Sequence, residues 1–195
     1  MAGRASPETV LTSSTRAPGA AVVCLVGYRG CGKSTLAPLL ARAWGWDWID
    51  ADVELERQAG RSVKELFETE GESGFRTRER NLVAELLRQD RLVLATGGGA
   101  VLNETTRSEM RGAGPVVWLR ASAEELHARI AGDPSTTARR PNLAGGGLAE
   151  VAEMLSRREP LYREVASVVV DVAGKAPNSI LAEVLAALGA EGASS

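Results

Sequence analysis

The sequence predicts an α/β fold: one five-stranded parallel sheet with helices packed on both faces. Three observations carry this. Apolar runs at Ala21–Val26, Trp46–Ile49, Leu92–Ala95, Val116–Leu119 and Val168–Val170 are short and continuous rather than alternating, the pattern of strands covered on both faces. Helical stretches fill the intervals, at about 33–44, 51–58, 63–89, 103–111, 122–131, 147–158 and 178–188. A Gly-rich loop joins the first strand to the first helix, and strands that alternate with helices in this way run parallel.

Size and composition agree with one domain. The chain has 195 residues, 44% of them hydrophobic, but only 4% are aromatic, so Ala, Val, Leu and Ile must build the core. The domain is expected over 21–188. Residues 1–20 are rich in Ser, Thr and Pro and read as a disordered leader, and 189–195 read as a flexible tail. Lys and Arg number 23 against 25 Asp and Glu, a net charge of −2, so nothing draws the chain broadly to nucleic acid. An anionic ligand must instead be met by a few placed cations. The apolar run at 20–26 is too short to span a bilayer, and the first twenty residues lack the apolar stretch of a signal peptide. No membrane partner and a cytoplasmic location are expected. Cys24 and Cys31 are too few for a disulfide framework, and the single histidine, His127, makes a histidine-based metal site untenable.

The first strand runs into Gly27-Tyr28-Arg29-Gly30-Cys31-Gly32-Lys33-Ser34, which fits G-x-x-x-x-G-K-[ST] at every fixed position. Strand before and helix after supply the context that this phosphate-binding loop requires. Its backbone N–H groups would turn inward on phosphate oxygens at the positive end of a helix. Lys33 would reach the β- and γ-phosphates, and the Ser34 hydroxyl would sit on Mg²⁺. Cys31 serves there as a small filler. No Asn-Lys-x-Asp is present to read guanine, and Asp171-Val172-Ala173-Gly174 follows the last strand, where a γ-phosphate switch is not expected. A motor would need a larger chain.

The second strand ends in Trp48-Ile49-Asp50-Ala51-Asp52. If the segment stays extended, the two carboxylates point the same way, one toward a Mg²⁺ water shell and one toward an acceptor hydroxyl. Either could instead cap the next helix. Gly71 and Gly74 interrupt the long helical stretch and imply a bend or a close approach. Arg76 and Glu79 are then spaced to pair on one face. The third strand leads into Thr96-Gly97-Gly98-Gly99, at the carboxyl edge where open α/β sheets bind ligands, and Ala173–Pro177 follows the fifth strand at the same edge. Gly132–Gly147, rich in Gly, Pro, Ser, Thr and Arg, lies between two helices and reads as a mobile lid. Trp44, Trp46, Trp48 and Trp118 read as packing residues, and Leu82, Val83, Leu86 and Leu87 as a core face. Taken alone, Arg76 and Arg158 are ordinary surface charges.

Together the motifs are distinctive. The phosphate loop, Asp50-Ala51-Asp52, Gly71-Glu72 with Phe75-Arg76, Thr96-Gly97-Gly98-Gly99, Arg140-Pro141 and Arg158-Glu159-Pro160-Leu161-Tyr162-Arg163 occur in that order. Over roughly residues 20–188 the chain resembles the shikimate kinases, P-loop proteins related in fold to nucleoside-monophosphate kinases. The resemblance implies ATP-dependent phosphorylation of the shikimate 3-hydroxyl by a monomer, with Mg²⁺ as cofactor. It implies that Asp52 binds ring hydroxyls and takes the proton, that Asp50 helps organise Mg²⁺ through water, and that Arg76 and Arg158 grip the carboxylate beside Gly97, Gly98 and Gly99. Gly30, Cys31, Gly32, Lys33, Ser34 and Thr35 would hold the ATP phosphates, Arg129 would stack on adenine, and Ala173–Pro177 would edge it. Arg140 would descend with the lid onto the transferring group, with Arg139 beside it as a competitor. The chain departs from the family at Asn142, where an apolar residue is usual, at Gly145–Gly147, which add slack after the lid, and at Ala176, where a polar residue is often seen.

Two other readings compete. Another small-polyol kinase of the same fold, such as a gluconate kinase, would keep Lys33 and Ser34 but need not bring Arg76 and Arg158 to one carboxylate. A nucleotide-binding regulator without catalysis would not need Asp52 and both arginines.

Overall fold

A computed structural model describes residues 22–132 and 147–191. In chain order the elements are β1 (Val22–Val26), α1 (Lys33–Trp44), β2 (Asp47–Asp50), α2 (Ala51–Ala59), α3 (Val63–Leu86), β3 (Leu92–Ala95), a 3₁₀ turn (Ala100–Leu102), α4 (Glu104–Ala113), β4 (Val116–Arg120), α5 (Ala123–Ala131), α6 (Leu148–Val165), β5 (Val168–Asp171) and α7 (Pro177–Glu191). The leader at 1–20 and the lid segment, with Arg139 and Arg140, lie outside the described residues.

The five strands form one parallel sheet in the order β2-β3-β1-β4-β5. The chain crosses from β1 to β2 on one side and from β3 to β4 on the other, so the loops after β1 and β3 part and a ligand crevice opens between them. Although β1 reads as one apolar run, its side chains alternate between two cores. Val23 and Leu25 join Leu36, Leu40, Leu126, Ile180 and Val184 on the α1, α5 and α7 face. Val22, Cys24 and Val26 join Leu66, Phe75, Val83, Met110 and Tyr162 on the opposite face. Both layers are dry, which is why the strands carry no polar alternation. Burial pushes the Cys24 thiol up to about 12, so it stays a protonated, unreactive filler at neutral pH. Among the described residues no helix is long and apolar enough to cross a membrane.

Three elements depart from expectation. β2 is an edge strand, with Asp47 and Trp48 exposed, rather than a strand covered on both faces. Trp44 and Trp46 pack on one another beside the α1 core, ring centroids 5.1 Å apart. α6 does not stop near residue 158 but continues through Pro160 to Val165. An internal proline costs about 3 kcal/mol. Pro160 is exposed, and Val151, Arg158, Tyr162 and Val165 form a buried stripe that outweighs it. α7 likewise runs past residue 188 to Glu191, into the segment expected as a tail. The bend in α3 falls at Gly71, with φ 69° and ψ 178°.

Candidate active site

The site lies along the carboxyl edge of the sheet. Lys33 opens α1 and is only 8% exposed. Its Nζ donates to Gly27 O at 2.8 Å and Tyr28 O at 3.0 Å, with Cys31 Sγ at 3.5 Å. The ammonium is thus held inside the curve of the loop. Around the loop's outer side Gly30, Cys31, Gly32 and Thr35 share a cavity of about 360 Å³ with Arg129, Lys175 and Pro177. Arg129 is fixed by Glu125 at 2.6 Å and by Val172 O at 2.8 Å. Its guanidinium therefore ties α5 to Val172, just before the Ala173–Pro177 segment expected to border a base.

Asp50 does two jobs with its two oxygens. Oδ1 accepts from the N–H groups of Asp52 at 3.0 Å and Val53 at 3.3 Å, capping α2. Oδ2 accepts from the Ser34 hydroxyl. The expectation that Asp50 and Asp52 align as strand neighbours is corrected here: the strand ends at Asp50, and Asp52 lies in the first turn of α2. Register still brings them to the crevice, because Asp50 pairs with Ala95, just before the Thr96–Gly99 turn. Ser34 Oγ and Asp50 are adjacent hard oxygen donors, the type Mg²⁺ takes alongside phosphate oxygens and water. Among the described residues no cluster of three or more His, Cys, Asp or Glu could hold a metal by itself.

The glycine turn brings the two arginines together. Arg158, from α6, is 8% exposed and donates through Nη1 to Gly98 O at 3.4 Å. Arg76, from α3, lies against the next residue: a Cβ on Gly99 would fall 2.3 Å from its Nη1. Only glycine leaves room for that guanidinium. Arg76 is held by Glu79 at 2.6 Å and Glu72 at 3.4 Å, so the expected pairing on one helix face is present. Neither arginine is the plain surface charge it resembles in isolation.

Sequence reasoning overlooked two tyrosines. Tyr162 lies one turn beyond Arg158 and donates its hydroxyl to Gly98 O at 2.6 Å. Burial raises its phenol well above the usual range, so it remains a donor at any physiological pH. Ending the helix before Pro160 had hidden this i, i+4 relation. Tyr28 occupies a free position of the loop motif, and its ring lies 5.6 Å from Arg158 Cζ. Nothing in the motif spelling marks it.

Comparison with known proteins fits this geometry. The family model described as "Shikimate kinase" matches residues 29–189. A shikimate kinase of Rhodopirellula baltica is 44% identical over 164 residues, covering 84% of this chain and 88% of the relative. The solved shikimate kinase of Acinetobacter baumannii in complex with shikimate superposes with TM-score 0.83 at 34% identity, covering 89% of this chain and 96% of that one. A gluconokinase from Sinorhizobium meliloti, TM-score 0.59 at 20% identity over 91% of this chain and 95% of that one, shares the fold alone. With the phosphate loop, the glycine turn and both arginines in one crevice, the chain belongs to the shikimate kinase family.

Proposed function

We propose that this chain transfers the γ-phosphoryl group of ATP to the 3-hydroxyl of shikimate, giving shikimate 3-phosphate and ADP. One observation carries the assignment: Arg76 and Arg158, from separate helices, reach adjacent glycines of one turn beside the phosphate loop. Two guanidinium groups at one place suit a carboxylate, whose two oxygens match paired N–H donors.

The roles are those that the family resemblance implies. The backbone of Gly30–Thr35 cradles the ATP phosphates, and Lys33 exchanges its loop carbonyls for phosphate oxygens. Ser34 and, through water, Asp50 hold Mg²⁺, which supplies charge neutralisation on the phosphates when bound. Arg129 lines the base cavity. Asp52 orients the 3-hydroxyl and takes its proton as the oxygen–phosphorus bond forms and the β,γ-bridging oxygen leaves with ADP. The transition state is loose, so positioning and charge stabilisation do most of the catalysis. Gly97, Gly98 and Gly99 pack against the ring. Arg140, outside the described residues, is assigned to the transferring group. The exposed large apolar side chains Trp48, Val53, Leu102, Leu148 and Val169 are scattered over different elements, which favours a monomer. Buried free thiols at Cys24 and Cys31 suit a reducing cytoplasm.

Purified protein assayed with ATP, Mg²⁺ and each of shikimate, gluconate and nucleoside monophosphates tests the assignment. Shikimate alone is expected to turn over. Turnover of gluconate without shikimate would overturn it in favour of another polyol kinase, and tight ATP binding with no phosphorylated product would favour a regulator. A second prediction comes from Gly99. Its φ is −101°, so alanine strains no backbone there, but the new Cβ displaces the Arg76 guanidinium. Gly99→Ala is expected to raise shikimate KM about ten- to a hundred-fold, from ~1–3 kcal/mol of overpacking. Nucleotide affinity should not change, as steady-state kinetics and nucleotide titration would establish.

A further inference from the structure

We infer that Tyr28 is a positioning residue for Arg158 and, through it, sets the affinity for the carboxylate of the acceptor. This rests on the function proposed above. Arg158 carries a full charge in a nearly closed setting, 8% exposed, and among the described residues it has no carboxylate within ion-pair distance. It donates to Gly98 O at 3.4 Å, a carbonyl that the Tyr162 hydroxyl also reaches at 2.6 Å, and it lies over the face of Tyr28, 5.6 Å from ring centroid to Cζ. Arg76 is held differently, by the two carboxylates of Glu79 and Glu72.

The difference has a chemical consequence. A carboxylate partner fixes a guanidinium by occupying its N–H edge and cancelling its charge. A π face attracts the cation from above the plane and leaves that edge for a ligand. Buried cations need such compensation. Arg158 is therefore the arginine whose positive charge is kept for the substrate, and Tyr28 is what keeps it in place. Tyr28 is itself fixed: it is 5% exposed, and its carbonyl accepts from Lys33 Nζ at 3.0 Å. The phosphate loop thus carries the support for the acceptor's anchor. Among the described residues the Tyr28 hydroxyl makes no side-chain hydrogen bond, so the ring is the functional part.

The test compares Tyr28→Leu, Tyr28→Met and Tyr28→Phe by steady-state kinetics with shikimate varied at saturating ATP. Tyr28→Leu and Tyr28→Met are expected to raise shikimate KM about five- to thirty-fold, the strength of a desolvated cation–π contact, with kcat and nucleotide affinity changed less than about twofold. Tyr28→Phe should restore KM to near wild type. With an analogue carrying a hydroxymethyl group in place of the carboxylate, the leucine variant and wild type should show equal kcat/KM. Wild-type KM in the leucine and methionine variants would overturn the inference. So would an equal loss in the phenylalanine variant, or an undiminished loss on the carboxylate-free analogue. Thermal melting identifies a variant that does not fold, and the methionine variant, which fills similar space without a π face, then carries the comparison. Absence of any shikimate turnover by wild type would instead remove the functional assignment beneath it.

Discussion

Asp52→Asn is expected to lose turnover by about 10²–10⁴-fold, the usual contribution of a positioned general base, while ATP binds as before. The amide keeps the shape of the side chain but cannot take the hydroxyl proton. Asp50, not Asp52, caps α2, and it does so through the Asp52 backbone N–H, which the substitution leaves in place. The substitution leaves that cap in place and removes a negative charge from the first helical turn, worth about 0.3–1 kcal/mol. Ser34 and its contact with Asp50 are untouched, so the phosphate end of the site stays intact. Coupled measurement of ADP release gives kcat, and calorimetry gives the nucleotide dissociation constant. Near-normal turnover in the asparagine variant would reduce Asp52 to a residue of the helix start. A parallel collapse of ATP affinity would place it on the wrong side of the crevice.

The parts of this molecule that were readable in the sequence are those where one physical requirement dominates a local stretch. Strands β1, β3 and β4 lie between two dry layers, so they must be continuously apolar, and they were visible for that reason. The phosphate loop was visible because each fixed position answers a separate need of phosphate binding. What stayed hidden depends on partners distant in the chain. The β2 run is apolar, yet it sits at an edge with Trp48 exposed, a fact of strand order rather than of the run itself. Pro160 reads locally as a helix stop, and only the buried stripe from Val151 to Val165 shows why α6 passes through it. Asp50 and Asp52 stand out in the sequence as candidate functional acids, but their geometry does not, because extended and capping conformations place the same residues differently. Tyr28 was invisible because the motif leaves its position free. Its contact is with Arg158, which the sequence places on the far side of the lid.

Removal of the two arginines should give different results, although both face the glycine turn. Arg158→Ala is expected to raise shikimate KM about 10²–10³-fold, from ~3–4 kcal/mol for two charge-assisted bonds to the carboxylate. Among the described residues Arg158 pairs with no buried acid, so the stability lost is that of its packing in the buried stripe of α6 rather than of a broken ion pair. Arg76→Ala should weaken shikimate as well, but it also takes the guanidinium from Glu79, a side chain only 4% exposed. Loss of a partner from a buried carboxylate costs folding, here about 1–3 kcal/mol, because the charge has been moved out of water. Adding Glu79→Gln to Arg76→Ala removes the charge that Arg76 neutralised, so part of the thermal stability should return while shikimate KM remains high. The paired measurement separates what Arg76 does for the fold from what it does for the ligand. If Arg158→Ala left KM at its wild-type value, or if ATP affinity fell as far as shikimate affinity, the carboxylate would not lie between these two side chains. Should the double variant stay as unstable as Arg76→Ala alone, the contact with Glu79 would not be what anchors this arginine.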